Sequence, residues 1–393
     1  KGNVVVNVYD TKGSSDTKPE IFADYTEVSD DNLSSHTFEL TGVYGGGNLA
    51  TYSPESGKIT TVNIYGCDKS SIKEVYGGGS AADVPGTTVN VYGAYEIGYV
   101  FAGGSGTSGA ANVNGNATTT IHGGTVYRAF AGANTNGDIT GTSRLNIADG
   151  TGEGACALKV GDVFSYGNHA TMSGQSVLNL GCLENKVGAL YGGAMNADIG
   201  SATSSRHIVM NINGGKYHQV FGGNKASGTI FGSIKVNIEQ TTDCPIEIDE
   251  LYGCGNNAAY TTANGTETPY DDPEINIISC QSIGAVYGAG YGSGAAVTGN
   301  PKVNINMVKA AGQENLGTIG NVYGGGYGAD VTGNTFVNIG TVANVTLPSN
   351  SSSSPAVEGA NITGSVYGGG YGENTTVTGD VKVNVGGEAN GSS

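Results

Sequence analysis

The densest set of side chains able to do chemistry lies in TTDCPIEIDELYG, Thr241 to Gly253, where Asp243, Glu247, Asp249 and Glu250 fall within eight residues. Clustered carboxylates are what acid–base cleavage of a glycosidic bond requires: one group protonates the leaving oxygen and the other activates water or attacks. Strand alternation puts Glu247 and Asp249 on one face and Glu250 on the other. No Lys, Arg or His is close by in sequence to hold an acidic sugar, and a formal net charge of −17 repels an acidic polymer. The five histidines, His36, His122, His169, His207 and His218, show no metal-ligand spacing. Neither a Gly-x-Ser-x-Gly elbow nor a phosphate-binding loop occurs in a strand–helix context. These residues predict a protein that is not an enzyme.

Two further patterns bear on ligands and redox state. Gly325-Gly326-Tyr327-Gly328-Ala329-Asp330 matches the GGxGxD core of calcium-binding β-rolls. Such repeats recur in tandem so that each ion is shared between turns. Here the match stands alone, and Asn374 occupies the corresponding acidic position of the next unit. The expectation is therefore no cofactor, with calcium in an acidic loop as the alternative. The six cysteines form no CxxC pair. Cys244 with Cys280 and Cys156 with Cys182 lie in adjacent repeat units and are candidate pairs, while free buried thiols are the alternative.

The chain has 393 residues, of which 69 are Gly, with no Trp and only 13% charged. That is long enough for two or three ordinary domains. So much glycine suggests disorder or a fibrous chain, but the valines and isoleucines recur regularly and glycine lacks the collagen period. Only 17 Lys and Arg are present and they form no basic run, which argues against nucleic acid. No apolar stretch approaches the roughly 20 residues of a membrane-spanning helix. The chain opens KGNVVVNVYD, already in a strand pattern, and so reads as a mature or trimmed segment.

The elements that must position these residues are repeats. An aromatic ring after an apolar residue and before small ones recurs at Tyr44, Tyr76, Phe101, Phe130, Phe164, Tyr191, Phe221, Tyr252, Tyr287, Tyr323 and Tyr367. It alternates with a Val-Asn-Ile-like triplet, centred on Asn7 at the start and Asn384 at the end, with Thr120 in one asparagine slot. This makes eleven units of roughly 25 to 45 residues. Each unit holds three short runs of strand period: the aromatic run, a middle run such as Ala329–Thr332, and the asparagine run. Glycine-containing turns separate them, and no helical period is sustained. The expected fold is all-β, a single-stranded parallel β-helix (β-solenoid) over residues 1–393, right-handed by the usual crossover preference. A β-propeller blade needs four antiparallel strands, for which these units are too short.

Alternation also predicts the faces. Valines such as Val75, Val381, Val383 and Val385 point inward, and the rings share an outer face with polar residues two positions earlier, such as Glu74, Arg128, Asp162 and Glu250. The asparagines line another outer face beside Lys235, Lys302 and Lys382. Such ladders stack for architecture, ring on ring and amide on amide, or present a platform to a ligand. The functional alternative places sugar rings on Tyr287, Tyr323 and Tyr367. Three segments break the rhythm and read as long loops, residues 10–40, 256–274 and 341–364, where repeat scaffolds commonly place function. The second carries Tyr260 and Tyr270 with Asp271 and Asp272. The third holds SNSSSSP, Ser349 to Pro355, a flexible-loop composition.

The VYGGG and VNI phrases, which cover nearly the whole chain, resemble the glycine-rich repeats of adhesin-like surface proteins of gut anaerobic bacteria. Those are similar to the right-handed parallel β-helix passengers of secreted adhesins. The resemblance implies export, a place on the bacterial cell surface and an attachment role, and it carries over no catalytic residues. The ending GGEANGSS has no obvious cap, as in a segment cut from a longer rod. The resulting expectation is a non-catalytic extracellular scaffold whose aromatic stripe or loops bind glycans or host or other cell-surface proteins. No nucleic acid is expected, and no membrane insertion within this segment. The alternatives are a stalk without a ligand and a polysaccharide lyase or hydrolase built on a β-helix.

Overall fold

The computed structural model of the chain describes residues 2–11, 30–150, 156–241, 244–262, 272–310 and 312–386, with side chains from residue 33 onward in the second of these stretches. The described residues are nearly all strand and turn. One helix occurs among them, Asp30–Ser35, in a region where the sequence showed no helical period. No helix of the described residues is long and apolar enough to cross a membrane. Two compact units divide the chain, residues 1–190 with 194–197, and residues 191–193 with 198–393.

In the first unit the chain alternates between two sheets. Val4–Val8, Thr60–Ile64, Thr87–Val91, Ala117–Ile121, Ser143–Ile147 and Ser176–Leu180 pair in that order. Leu40–Tyr44, Ser71–Tyr76, Glu96–Phe101, Gly124–Phe130, Leu158–Phe164 and Val187–Tyr191 form the other. The register repeats the sequence phrases on themselves, with Asn7 opposite Asn63, Asn63 opposite Asn90, Tyr44 opposite Tyr76 and Tyr76 opposite Phe101, each pair parallel. The expected middle run is present as single bridges from Val84 to Val113 and from Val113 to Ile139.

The second unit follows the same rule. Gly215–Phe221, Ile246–Tyr252, Ser282–Tyr287 and Thr318–Tyr323 carry the rings in parallel register. Arg206–Ile212, Ile230–Glu239, Glu274–Ser279, Lys302–Ile305, Thr335–Ile339 and Val381–Val385 carry the asparagines. Between them the middle run is a ladder of its own, Ile230 beside Tyr260, Tyr260 beside Val297 and Val297 beside Val331. All-β structure with parallel, in-register pairing is thus observed.

The inward valines make the core, except on the strand Val381–Val385, where Val381, Val383 and Val385, expected to point inward, are exposed. Val62, Ile64, Val75, Val89, Val91 and Val100 have no exposed surface, and neither have Val303, Ile305, Val322 and Val337. Full burial of each contributes about 1.5–3 kcal/mol, which a lone unit cannot gain because its neighbours supply the covering surface. The glycine after the ring is fixed by close approach. A Cβ at Gly253 would lie 2.1 Å from the Gly288 carbonyl oxygen, and one at Gly288 2.3 Å from that of Gly324. The glycine after the second tyrosine of the VYGGGYG phrase is fixed instead by a left-handed backbone, φ +83° at Gly292 and +64° at Gly328.

Candidate functional site

The ring ladder stacks as its register demands. In the first unit Tyr44, Tyr76, Phe101, Phe130 and Phe164 follow one another at 4.5–5.0 Å between centroids. In the second, Tyr191, Phe221, Tyr252, Tyr287, Tyr323 and Tyr367 do the same at 4.6–5.0 Å. The rings lie on the face that alternation assigns, for Tyr76 and Tyr252 donate their hydroxyls to Glu74 and Glu250, two residues earlier. They are nevertheless packed. Tyr252 has no exposed surface, Tyr287 is 5% and Tyr323 8% exposed, and only at Tyr367 does exposure reach 48%.

Their cover comes from residues the ring pattern omits. Tyr291 stands edge-on to Tyr252, Tyr327 to Tyr287 and Tyr371 to Tyr323, all at 5.6–5.7 Å. In the first unit Leu33 and Phe38 pack against Tyr127, and His36 reaches the buried carboxylate of Glu96 at 2.8 Å. Arg128 and Asp162, read from the sequence as outward polar residues, are buried and face each other at 3.5 Å. Of the residues expected to bind ligand, Tyr287 and Tyr323 therefore offer little ring surface, and Tyr367 offers most. Tyr260 is not in a loop: it sits in the middle ladder, buried, its hydroxyl donated to the Gly232 carbonyl. Tyr270 lies outside the described residues.

The acidic cluster acquires cations only through the register. Lys216 lies 3.9 Å from Glu247, and His218 Nδ1 lies 2.9 Å from Asp249 on the neighbouring strand, both pairs well exposed. Glu250 accepts from Gln219 and from Tyr252. Asp243 lies outside the described residues. The Lys216–Glu247 and His218–Asp249 pairs lie on an exposed strand surface. Asp330 of the GGxGxD match accepts from the Thr376 backbone N–H and hydroxyl at 2.8 and 2.9 Å. It belongs to a series of Asp and Asn side chains that accept backbone N–H groups of the next unit, as Asp83 does from Asn112, Asn112 from Asp138, and Asn300 from Asn334. Among the described residues no three His, Cys, Asp or Glu side chains gather as a metal site.

The cysteines depart from both candidate pairings. Cys156 is bonded to Cys67, and Cys280 is a free buried thiol, as is Cys254. Cys182 and Cys244 are oxidised as well. Pairing across three units escapes any rule based on neighbours in sequence.

A partly enclosed polar surface belongs to the third irregular segment. Within residues 341–364, expected to be a long loop with a flexible tract from Ser349 to Pro355, residues 341–359 fold into an antiparallel hairpin with bridges Asn344–Ala356 and Leu347–Asn350. Its ends are fixed: Thr341 donates its N–H to Asn306 at 2.9 Å at one end, and at the other Met307 bridges Gly359 and Lys309 meets Glu358 at 3.1 Å. Its tip is fixed too, since Ser349 donates its backbone N–H and hydroxyl to the buried carboxylate of Glu239. The hairpin thereby stands over the asparagine face and closes a groove of about 350 Å³. Lys235, Asn237, Asn276, Asn304 and Asn306 supply the polar lining, and Val345, Leu347 and Pro348 an apolar wall.

The amides of that face are linked head to tail. Asn237 donates to Asn211, Asn276 to Asn237, Asn304 to Asn276 and Asn338 to Asn304, at 2.8–3.0 Å. Asn276 gives its second hydrogen to Glu274, which also holds Lys235 at 3.5 Å. Each amide has two N–H donors, so Asn237 and Asn304 each keep one without a partner among the described residues. Asn306 accepts the Thr341 N–H through its carbonyl, and its amide hydrogens have no partner there either, although the residue is only 8% exposed. The groove is thus rich in unused donors and carries no unpaired charge. The asparagine ladder was legible in the sequence; the groove was not, because the hairpin that closes it reads as low complexity. Compared with protein-family models, curated proteins and solved structures, the chain finds no match.

Proposed function

We propose that this chain is a non-catalytic, extracellular, adhesin-like scaffold whose units are turns of a right-handed, single-stranded parallel β-solenoid, and that it meets glycans or host and partner proteins through its loops. The observation that carries the reading is the contrast between buried rings and a built groove. The rings of Tyr252, Tyr287 and Tyr323 are used up in stacking under a second row of tyrosines, whereas the hairpin of residues 341–359, anchored at both ends and at its tip, walls a groove that the ladder amides line. Parallel pairing of like residues supports the solenoid, and right-handedness follows from the preference of parallel crossovers. The Cys67–Cys156 bond suits an oxidising compartment.

The same burial favours a second reading, a spacer with no ligand, and a single experiment separates the two. Beads coated with the protein are presented to immobilised mucin and to host-cell glycans, and the protein is incubated in parallel with acidic and neutral polysaccharides. The scaffold that binds predicts retention without new reducing ends or unsaturated products. Absence of retention on every surface leaves the spacer, and turnover of any polysaccharide overturns both.

A further inference from the structure

Resting on the attachment reading, the geometry points to a specific ligand class and place: a short neutral oligosaccharide bound in the groove between the asparagine ladder and the hairpin of residues 341–359. Three features carry the assignment. The first is an excess of donors: one N–H on Asn237, one on Asn304 and those of Asn306 face no acceptor of the described chain. None of these amide nitrogens is among the buried unpartnered side-chain atoms of the described residues, and a ligand dense in hydroxyl and ether oxygens replaces the water that reaches them and gives its own hydroxyl hydrogens to the amide carbonyls. The second is charge. Lys235, the cation of the groove, is already neutralised by Glu274, and the protein's net charge is −17, so a uronic or sialic acid gains nothing there and is repelled over distance. The third is the opposite wall, where Leu347, Val345 and Pro348 provide an apolar surface for the C–H face of a sugar ring. A volume of about 350 Å³ is at the lower end of small-ligand sites, ~300–1,000 Å³, which admits a short stretch of chain.

An extended peptide is the competing ligand, and spacing disfavours it. The unused donors of Asn237 and Asn304 stand two strands apart, about 9.6 Å, because Asn276 between them is committed to Asn237 and Glu274, whereas groups on one side of an extended peptide recur every two residues, about 6.6 Å. The two periods part after the first contact. An oligosaccharide carries oxygens on all sides along its length and meets donors at either spacing.

The test measures binding of short neutral gluco-, galacto- and manno-oligosaccharides by calorimetry and ligand-observed NMR. The proteins are the parent, Asn306→Asp and Leu347→Trp. Asn306→Asp keeps the oxygen that accepts the Thr341 N–H but deletes the amide donors, and Leu347→Trp fills the groove without touching the ladder. Circular dichroism and the thermal midpoint establish that each variant is folded. The expected result is binding by the parent of at least one neutral series, weakened tenfold or more in both folded variants. The acidic counterparts are expected to bind less well than the neutral ones. Undiminished binding in both variants places the ligand elsewhere and overturns this site while leaving the attachment function standing. No binding of any neutral series, or capture of extended peptides from a peptide array in its place, overturns the ligand class. Retention on mucin in the bead assay with no oligosaccharide in the groove separates a failure here from a failure of the attachment reading.

Discussion

Tyr327 stands edge-on to Tyr287, 5.7 Å away and one unit earlier. Tyr291 and Tyr371 repeat the contact on Tyr252 and Tyr323. The second tyrosine of VYGGGYG is thus a lid for the first tyrosine of the unit before it. A stripe that sequence alternation places outward becomes a packed layer between two units. Edge-to-face pairs add about 0.5–1.5 kcal/mol beyond the area they bury.

Position along the ladder should therefore decide the cost of removing a ring. Tyr252→Ala opens a cavity between stacked neighbours and is expected to destabilise by about 3–5 kcal/mol. Tyr367→Ala, at a residue 48% exposed, is expected to cost under ~1 kcal/mol. Urea unfolding midpoints, with hydrogen exchange at the flanking strands to detect local opening, check the contrast. Equal losses at the two positions would contradict the packing described.

Asp330 accepts the backbone N–H and the hydroxyl of Thr376 in the next unit through one carboxylate oxygen, which predicts a contribution to stability through hydrogen bonding. Asp330→Ala should lower stability by about 1 kcal/mol, while Asp330→Asn, which retains the accepting oxygen, should stay within ~0.5 kcal/mol of the parent. Treatment with a chelator is expected to leave the melting temperature unchanged. A calcium-dependent rise that disappears in Asp330→Asn would return the residue to the metal-binding reading.

Burial pushes the Cys280 thiol up to about 12, and it raises Cys254 as well. The thiolate is the nucleophile, so neither residue should react with iodoacetamide in the folded protein at neutral or mildly alkaline pH. After denaturation without reductant two thiols should be modified, Cys254 and Cys280, and after reduction all six. Mass spectrometry of the labelled peptides reads the count, and labelling of Cys67 or Cys156 without reductant would disprove the bond between them.

Alkaline pH should unfold the protein. Burial raises Tyr76, Tyr127, Tyr217 and Tyr252 above the ordinary 10.0, with Glu74, Glu96 and Glu250 adding to the effect at Tyr76, Tyr127 and Tyr252. In the unfolded chain these phenols lose their protons near pH 10, before the folded state does. The folded state then holds more protons, and stability falls as pH rises past that point, while below it their contribution is intact. A phenolate absorbance step coincident with loss of the β-sheet dichroism signal is expected above about pH 10. A smooth titration of all tyrosines with the dichroism preserved would show that the rings are open to solvent.

Much of this organisation could be read from residue types alone. Val, Asn and the ring recur in fixed phase, and period-two alternation leaves one way to bury the valines. The parallel register, the middle run at Val331 and the head-to-tail asparagines follow from that. The series of Asp and Asn caps is present in phrases such as ADVTG and GDITG, but the acceptor role of these residues appears only between units. What alternation cannot state is what lies on top of a face. Whether Tyr287 meets solvent depends on Tyr327, whether Glu247 meets a cation depends on Lys216, and the partner of Cys156 is 89 residues away. The groove depends on Ser349 reaching Glu239 across 110 residues of sequence. Local pattern determines which way a side chain points, because the backbone geometry repeats every two residues. The cover, the pairing of cysteines and the shape of the groove were decided only by tertiary structure, because they depend on contacts whose sequence separation follows no period.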